Sequence, residues 1–201
     1  MSDTVRTPKQ QRSIDKKNRI IEAGYKLFAQ KGYYSTNTAE IAKEAGVSTG
    51  IVYGYFRDKR DILIEVLDIY VKKVFDPILN LFNKLNSPIE FEPLLEYAVD
   101  GVVKTHIENA SIHESLHSLT HTDKEINDKF IMLEDKMTRQ IVLSLQNAGI
   151  TVDNLSERVH IAIQNVETFA HEFVFDKHEY ISYPQMKKLI INMLKALFEF
   201  Q

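Results

Sequence analysis

The chain of 201 residues is long enough to bury a core of its own, and its lack of cysteine excludes disulfides, thiolate metal sites and cysteine nucleophiles. Seven Gly and five Pro among abundant Leu, Ile, Lys, Glu and Ala favour helices over a turn-rich β fold, so the expected class is all-α. The net charge of -3 divides unevenly: residues 1–60 hold 12 Lys and Arg against 6 Asp and Glu, residues 61–201 hold 13 against 22, and a basic module beside an acidic one is expected where the first meets phosphates.

Residues 1–13 are polar, contain Pro8 and carry Arg6, Lys9 and Arg12, which predicts a flexible basic arm. Ile20, Ala23, Gly24, Leu27 and Phe28 recur at helical spacing, predicting a helix over 14–31 capped by Gly32. Asn37 and Glu40 form a capping box for a short helix that buries Ile41, Ala42 and Ala45 and stops at Gly46. Ser48 then caps a third helix, whose Val52 and Phe56 face inward with Val47. Asp58 and Asp61 open a long apolar helix through Ile62, Leu63, Val66, Leu67, Tyr70 and Val74, which Pro77 is expected to end or kink. Beyond Ser87-Pro88, helices are expected at 91–108, 110–121, 123–147, 154–176 and 183–200. Thr122 with Glu125, and Asp153 ahead of Leu155, mark starts, and Gly149 marks a stop. The polar N-terminus lacks a signal-peptide core and no window approaches 18 consecutive apolar residues, so a soluble, cytoplasmic protein with no membrane partner is expected.

Two short helices joined by a glycine turn and supported by a third predict a helix-turn-helix, whose second helix can enter the major groove. With Val52 facing the core, a step of about 100° per residue turns Gly50 and Gly54 to the opposite face, with Ile51 and Tyr53 on its flanks. Outward glycines weaken a helix, and close backbone approach to a ligand such as DNA is a reason to keep them. Thr38, Ser48 and Thr49 offer hydroxyls and N–H groups to phosphate, Tyr53 and Tyr55 offer phenols, and Lys59 offers a point charge.

The runs Arg19-Ile20-Ile21-Glu22-Ala23, Leu27-Phe28-Ala29-Gln30-Lys31-Gly32-Tyr33, Glu40-Ile41-Ala42-Lys43-Glu44-Ala45-Gly46-Val47-Ser48 and Tyr53-Gly54-Tyr55-Phe56-Arg57-Asp58-Lys59 resemble the TetR family of repressors over residues 14 to 65. The resemblance implies a helix-turn-helix DNA-binding domain at 14–59 and a helical ligand-binding and dimerisation domain at 60–201. It also implies a homodimer on palindromic double-stranded operator DNA, released by a small-molecule inducer, with no enzymatic activity and no cofactor. On it, Thr38, Ser48, Tyr53, Tyr55 and Lys59 fall where the family meets phosphates, and Thr49, Gly50 and Ile51 where it meets bases. Thr49 stands in place of a frequent Lys, Tyr55 of a frequent His and Gly54 of a frequent aromatic residue, which shifts weight from polar readout to methyl contacts and DNA shape.

His113-Glu114-Ser115-Leu116-His117 spells H-E-x-x-H, the zincin signature, which would make Glu114 the general base of a zinc hydrolase. The metzincin extension is absent, Asp123 standing at its histidine position, and Glu134, Glu167 and His171 are the third ligands at hand. No metal site is expected. A metal- or pH-responsive site from His106, His113, His117 or His121 stays open beside histidines that line an inducer pocket or bond at helix crossings. The expected ligand-binding residues are His106, His113, His117, Phe130 and Phe169, with Tyr70, Phe75, Phe82, Phe91 and Tyr97 as further aromatics. The apolar stripes Ile161, Val166, Phe169, Phe173 and Val174, and Ile190, Leu194, Leu197 and Phe198, are expected at a four-helix dimer interface.

Overall fold

The computed structural model describes residues 11–85 and 88–199, and every element among them is a helix. They are α1 (Gln11–Lys31), α2 (Thr38–Glu44), α3 (Thr49–Tyr53), α4 (Lys59–Phe82), α5 (Phe91–Glu108), α6 (Ala110–Thr120), α7 (Lys124–Asn147), α8 (Leu155–Phe175) and α9 (Tyr183–Phe198). Arg6 and Lys9 of the expected arm lie outside the described residues, while Arg12 and Ser13 already belong to α1.

The helices gather into two compact units. One holds the described residues up to Val71 together with Asn109–Phe130, and the other holds Lys72–Glu108 and the described residues from Ile131 onward. In the first unit, α1 packs on α2 and α6, and α2 packs on α3. Ile20, Phe28, Ile41, Val52, Ile62 and Leu63 are wholly buried there. Gly24 is the point of closest approach: a Cβ built on it would sit 2.7 Å from Ile62 Cγ2, so only glycine lets α1 lie this close to α4. Ser115 Oγ takes the Tyr33 amide at 3.3 Å, and Tyr25 donates to Asn109 Oδ1, joining the middle of α6 to the loop after α1 and the residue before α6 to α1.

In the second unit, α5 packs on α8 and α9, and these pack on each other. Phe91 and Phe198 stack with centroids 5.3 Å apart and planes 10° from parallel. Arg158 donates to Leu197 O at 2.7 Å, and Lys187 and Lys195 pair with Asp100 and Glu92. The apolar stripes of α8 and α9 serve two surfaces. Val166, Phe169, Leu194 and Phe198 are buried within the unit, whereas Ile161, Leu189 and Met193 stay largely exposed.

Two expectations of the sequence need correction, and a third is narrowed. Of the end or kink expected at Pro77, the end does not occur: α4 runs on to Phe82, the proline sitting on the exposed face while Val74, Phe75 and Ile78 are buried, and that burial offsets the roughly 3 kcal/mol an interior proline costs. α7 is started by Asp123, not Thr122: the Asp123 carboxylate accepts from the Glu125 and Ile126 amides, and the Thr122 hydroxyl turns back to the carbonyls of Ser118 and Leu119. A carboxylate is the stronger acceptor for an orphan N–H. At α8 the residue before the helix is Asn154 in the left-handed region (φ 56°), and Asp153 contributes its backbone carbonyl, bonded by Arg158 Nε at 2.7 Å, in place of a side-chain cap.

Candidate nucleic-acid interface and apolar cavity

The α2–turn–α3 corner is built from local bonds. Asn37 Oδ1 accepts the Glu40 amide and Glu40 accepts the Asn37 amide, both at 3.0 Å, closing the box at the start of α2. Lys31 pairs with Glu40 at 2.6 Å, and these bonds to the ionised form hold the Glu40 carboxyl below its ordinary range. Gly46 takes φ +66° after α2, a conformation costly for any residue with a Cβ, and lets Val47 N return to Ala42 O. Ser48 Oγ then accepts the Ile51 amide at 3.4 Å and starts α3.

On α3, Val52 is the buried residue; Gly50, Tyr53 and Gly54 are exposed, and Thr49, Ile51 and Tyr55 are half-buried. The two glycines differ. A Cβ at Gly50 would meet nothing within 4 Å, whereas at Gly54 it would lie 3.2 Å from Ile51 O. Gly54 is therefore explained in part by the end of α3, while nothing inside the protein asks for glycine at position 50.

Two of the expected contacts are held inside the protein. Tyr55 Oη and Ser13 Oγ are 2.7 Å apart, tying the approach to α4 to the start of α1. Lys59 Nζ donates to Tyr33 O at 2.7 Å and Thr36 O at 2.8 Å and lies over the Tyr33 ring, 4.2 Å from its centroid. Burial pulls the Lys59 pKa below its usual value, with the Glu40 charge acting in the opposite sense. Thr38 is half-buried at the start of α2, and the Tyr53 phenol is open, 54% of the residue being exposed.

Most cations of this unit have partners. Lys17 pairs with Glu65, Lys26 with Glu44, and Arg57 grips both Asp61 oxygens. Arg60 binds Asp123 through two nitrogens and Glu125 through one, and this holds the Asp123 carboxyl down at about 2. Counted over its sequence, the unit carries 14 Lys and Arg against 13 Asp and Glu, and the other unit 11 against 15. The contrast between chain halves thus shrinks once 61–71 and 109–130 join the basic segment, and what faces outward from α3 is methyl, hydroxyl, phenol and bare backbone.

The histidines divide between the units. His113, His117 and His121 run along one side of α6 into the following turn, their rings in contact (centroids 5.9 Å and 5.3 Å), and Tyr70 bonds His113 Nδ1. His106 is in the other unit, as are Glu134, Glu167 and His171. Among the described residues no group of three His, Asp or Glu side chains is placed to hold a metal ion.

The second unit contains a small cleft, partly open to solvent, lined by residues of α4, α5, α7, α8 and α9. Phe75, Phe82, Val102, Met137, Ile163 and Phe198 give its character, and Glu167 is the ionisable residue on its wall. None of the five expected ligand-binding residues lines it: His113, His117 and Phe130 belong to the other unit, Phe169 packs against Phe173 and Tyr183, and His106 stands behind Glu167. Of the further aromatics, Phe75 and Phe82 reach the cleft, Phe91 stacks on Phe198 and Tyr97 is exposed.

Residues 20–66 match the family model of bacterial regulatory proteins, tetR family. The N-terminal domain is a TetR-family DNA-binding domain. The HTH-type transcriptional regulator YuxN of Bacillus subtilis is 49% identical over 74 residues, 37% of this chain and 25% of that protein. Across three curated relatives the matched part spans 25%, 28% and 65% of the relative's length. The fold of the whole described chain is also that of TetR-family regulators. One from Mesorhizobium loti superposes with a TM-score of 0.74, covering 94% of this chain and 97% of that one at 20% identity. A regulator from Saccharomonospora viridis, in complex with choline, gives 0.64, covering 89% and 95% at 19% identity. Among the described residues, no helix is long and apolar enough to cross a membrane.

In this TetR-family domain the expected contact residues fall on one corner, but with unequal freedom: Thr49, Gly50, Ile51 and Tyr53 face out, while Ser48, Tyr55 and Lys59 also hold the frame. The sequence did not disclose Ser13 and Arg60, because their partners lie 42 and 63 residues away and no periodicity links them.

Proposed function

We propose that this chain is a homodimeric transcriptional repressor that binds a palindromic operator through α3 and releases it when a small molecule occupies the cleft of the second unit. The observation that carries the DNA half is the outward face of α3. Gly50 has open space where a Cβ would be, flanked by Thr49, Ile51 and the exposed Tyr53, on a helix fixed by caps at both ends. Such a face admits close approach of groove edges to backbone, with thymine methyls against Ile51 and Thr49. Thr38, Ser48 and Tyr53 then meet phosphates, Tyr55 braces α1, and Lys59 keeps one N–H for phosphate while two hold the loop ahead of α2.

The dimer is supported by Ile161, Leu189 and Met193, apolar side chains of α8 and α9 left exposed in the single chain. Ligand release is supported by the cleft and by the choline held by the regulator of similar fold. A cytoplasmic address belongs with this function. Zinc hydrolysis lacks support, since no third ligand accompanies His113 and His117 among the described residues.

Selection of binding sites from random duplex DNA tests the proposal. The expected product is a palindrome whose half-sites are spaced by about one helical turn or a multiple of it, bound with an affinity that falls as salt rises. A folded dimer that recovers no sequence from the pool overturns it.

A further inference from the structure

The histidines of α6 are a cluster that DNA binding leaves unused. His113, His117 and His121 are spaced four apart, so a helix of about 3.6 residues per turn sets each ring about one turn beyond the last on one face. His121, the residue that ends α6, keeps helical backbone angles (φ -79°, ψ -18°). One ion does not reach all three, because a rise of about 1.5 Å per residue puts the outer two about 12 Å apart along the axis. The ladder therefore offers pairs, and the pairs differ. His113 is buried and its Nδ1 is bonded to the Tyr70 hydroxyl, which makes it part of the core, whereas His117 and His121 are exposed.

The outer pair has the geometry of a chelate. The His117 and His121 rings have centroids 5.3 Å apart and planes at 81°. Two imidazoles that share a tetrahedral ion, with metal–nitrogen bonds of about 2.0–2.1 Å, hold their centroids about 5 Å apart, so these rings are already at the separation an ion requires. The inner histidine backs this arrangement. Its ring stacks on that of His117 (centroids 5.9 Å, planes 26°) and is itself held by Tyr70, so His117 has less freedom to lose on binding. The pair also stands at the C-terminal end of α6, where the last carbonyls favour positive charge. The turn that follows is fixed through Asp123, which Arg60 grips with two nitrogens.

We propose that His117 and His121 chelate one divalent transition ion of the zinc class, each through one ring nitrogen, with water in the remaining positions. Imidazole donors select such ions over Mg²⁺ and Ca²⁺, which take oxygen ligands. The site is a clip on the last turn of α6 and not a hydrolytic centre: it uses His121 outside the H-E-x-x-H run, leaves Glu114 without a role and needs no third side chain.

The test is titration of the untagged full chain, stripped with EDTA and dialysed, with ZnCl₂ against a chromophoric zinc indicator at about pH 7.5, since imidazole binds metal in its neutral form. His117→Gln, His121→Gln and, as a control at another surface histidine, His160→Gln are compared with the parent. One zinc per chain is expected, MgCl₂ should not compete, and loss of either chelating ring should weaken binding about tenfold or more while His160→Gln leaves it unchanged. The melting temperature should rise with zinc in the parent and in His160→Gln but not in the other two variants, because the clip exists only in the folded chain. Equal melting of all four proteins in EDTA shows that they are folded. Zinc binding that survives both single substitutions, or no saturable binding to the parent, overturns the proposal. One zinc per two chains overturns it as well, since the ion would then join two copies and not two turns of one helix.

Discussion

The two units solve opposite problems. Around Gly24 the N-terminal unit is filled until one methyl group would collide with Ile62, and its polar side chains are largely engaged with one another, so what remains for recognition lies outside, on α3. The C-terminal unit leaves space inside, walled almost wholly by apolar side chains. On the proposed function, recognition of DNA would be prepared by removing bulk from a surface, and recognition of a small molecule by withholding bulk from a core. Both are absences, and neither announces itself in composition.

Substitutions that add or remove volume should separate the units most strongly. Ile62→Ala, in the filled unit, should cost about 2–5 kcal/mol in urea unfolding, whereas Ala162→Leu, pointed at the cleft, should leave stability unchanged or raise it by up to about 2 kcal/mol. Equal losses in both would mean that the cleft is as tightly closed as the N-terminal core. Gly24→Ala should cost about 1–3 kcal/mol from overpacking against Ile62, outweighing the gain of up to about 1 kcal/mol in helix propensity; a stabilised variant would show that α1 and α4 give way easily.

The surface glycine should behave in the reverse sense. Gly50→Leu should raise thermal stability by about 0.5–1 kcal/mol, since nothing obstructs the side chain, yet weaken operator binding by about tenfold or more in a gel-shift titration. A variant more stable and equally tight would remove close approach from the mechanism.

The smallest effect concerns pH. Burial of His106 opposes its proton, but the hydrogen bond and charge of Glu167, with the Val102 carbonyl, raise its pKa above the ordinary imidazole value. A raised folded-state value means stability that is fully present below about pH 6.5, the unfolded value, and is lost as pH rises through the folded one. The melting temperature should therefore fall more for the parent than for His106→Gln between about pH 5.5 and about pH 8.5. Parallel profiles would show that the pair does not titrate in this window.

Features whose cause lies within four residues were legible in the sequence. Asn37 with Glu40, Ser48, Gly46 and Gly149 act where the sequence places them, since each meets orphan backbone groups of its own helix end. Neighbouring acceptors were harder to tell apart, which is why Thr122 was expected where Asp123 serves, and the sequence left open whether Pro77 ends α4, because its cost is local and its compensation is the burial of Val74, Phe75 and Ile78. The outward turn of Gly50 and Gly54 followed from helical angle alone. The anchoring of Tyr55 by Ser13, the spending of Lys59 on two carbonyls and the lining of the cleft did not, because each depends on residues far apart in the chain.

α3 is five residues long and keeps one buried side chain, Val52, where α1 has 21 residues and four buried side chains beside the buried Gly24. A helix that short owes its persistence to its caps and that single anchor, so its amides should exchange with solvent through local openings far cheaper than unfolding of the domain. Docking in the groove would close those openings. Part of the operator's binding energy is then consumed in ordering the helix that reads it, and slowed exchange at Thr49 to Tyr53 on adding DNA would be its signature.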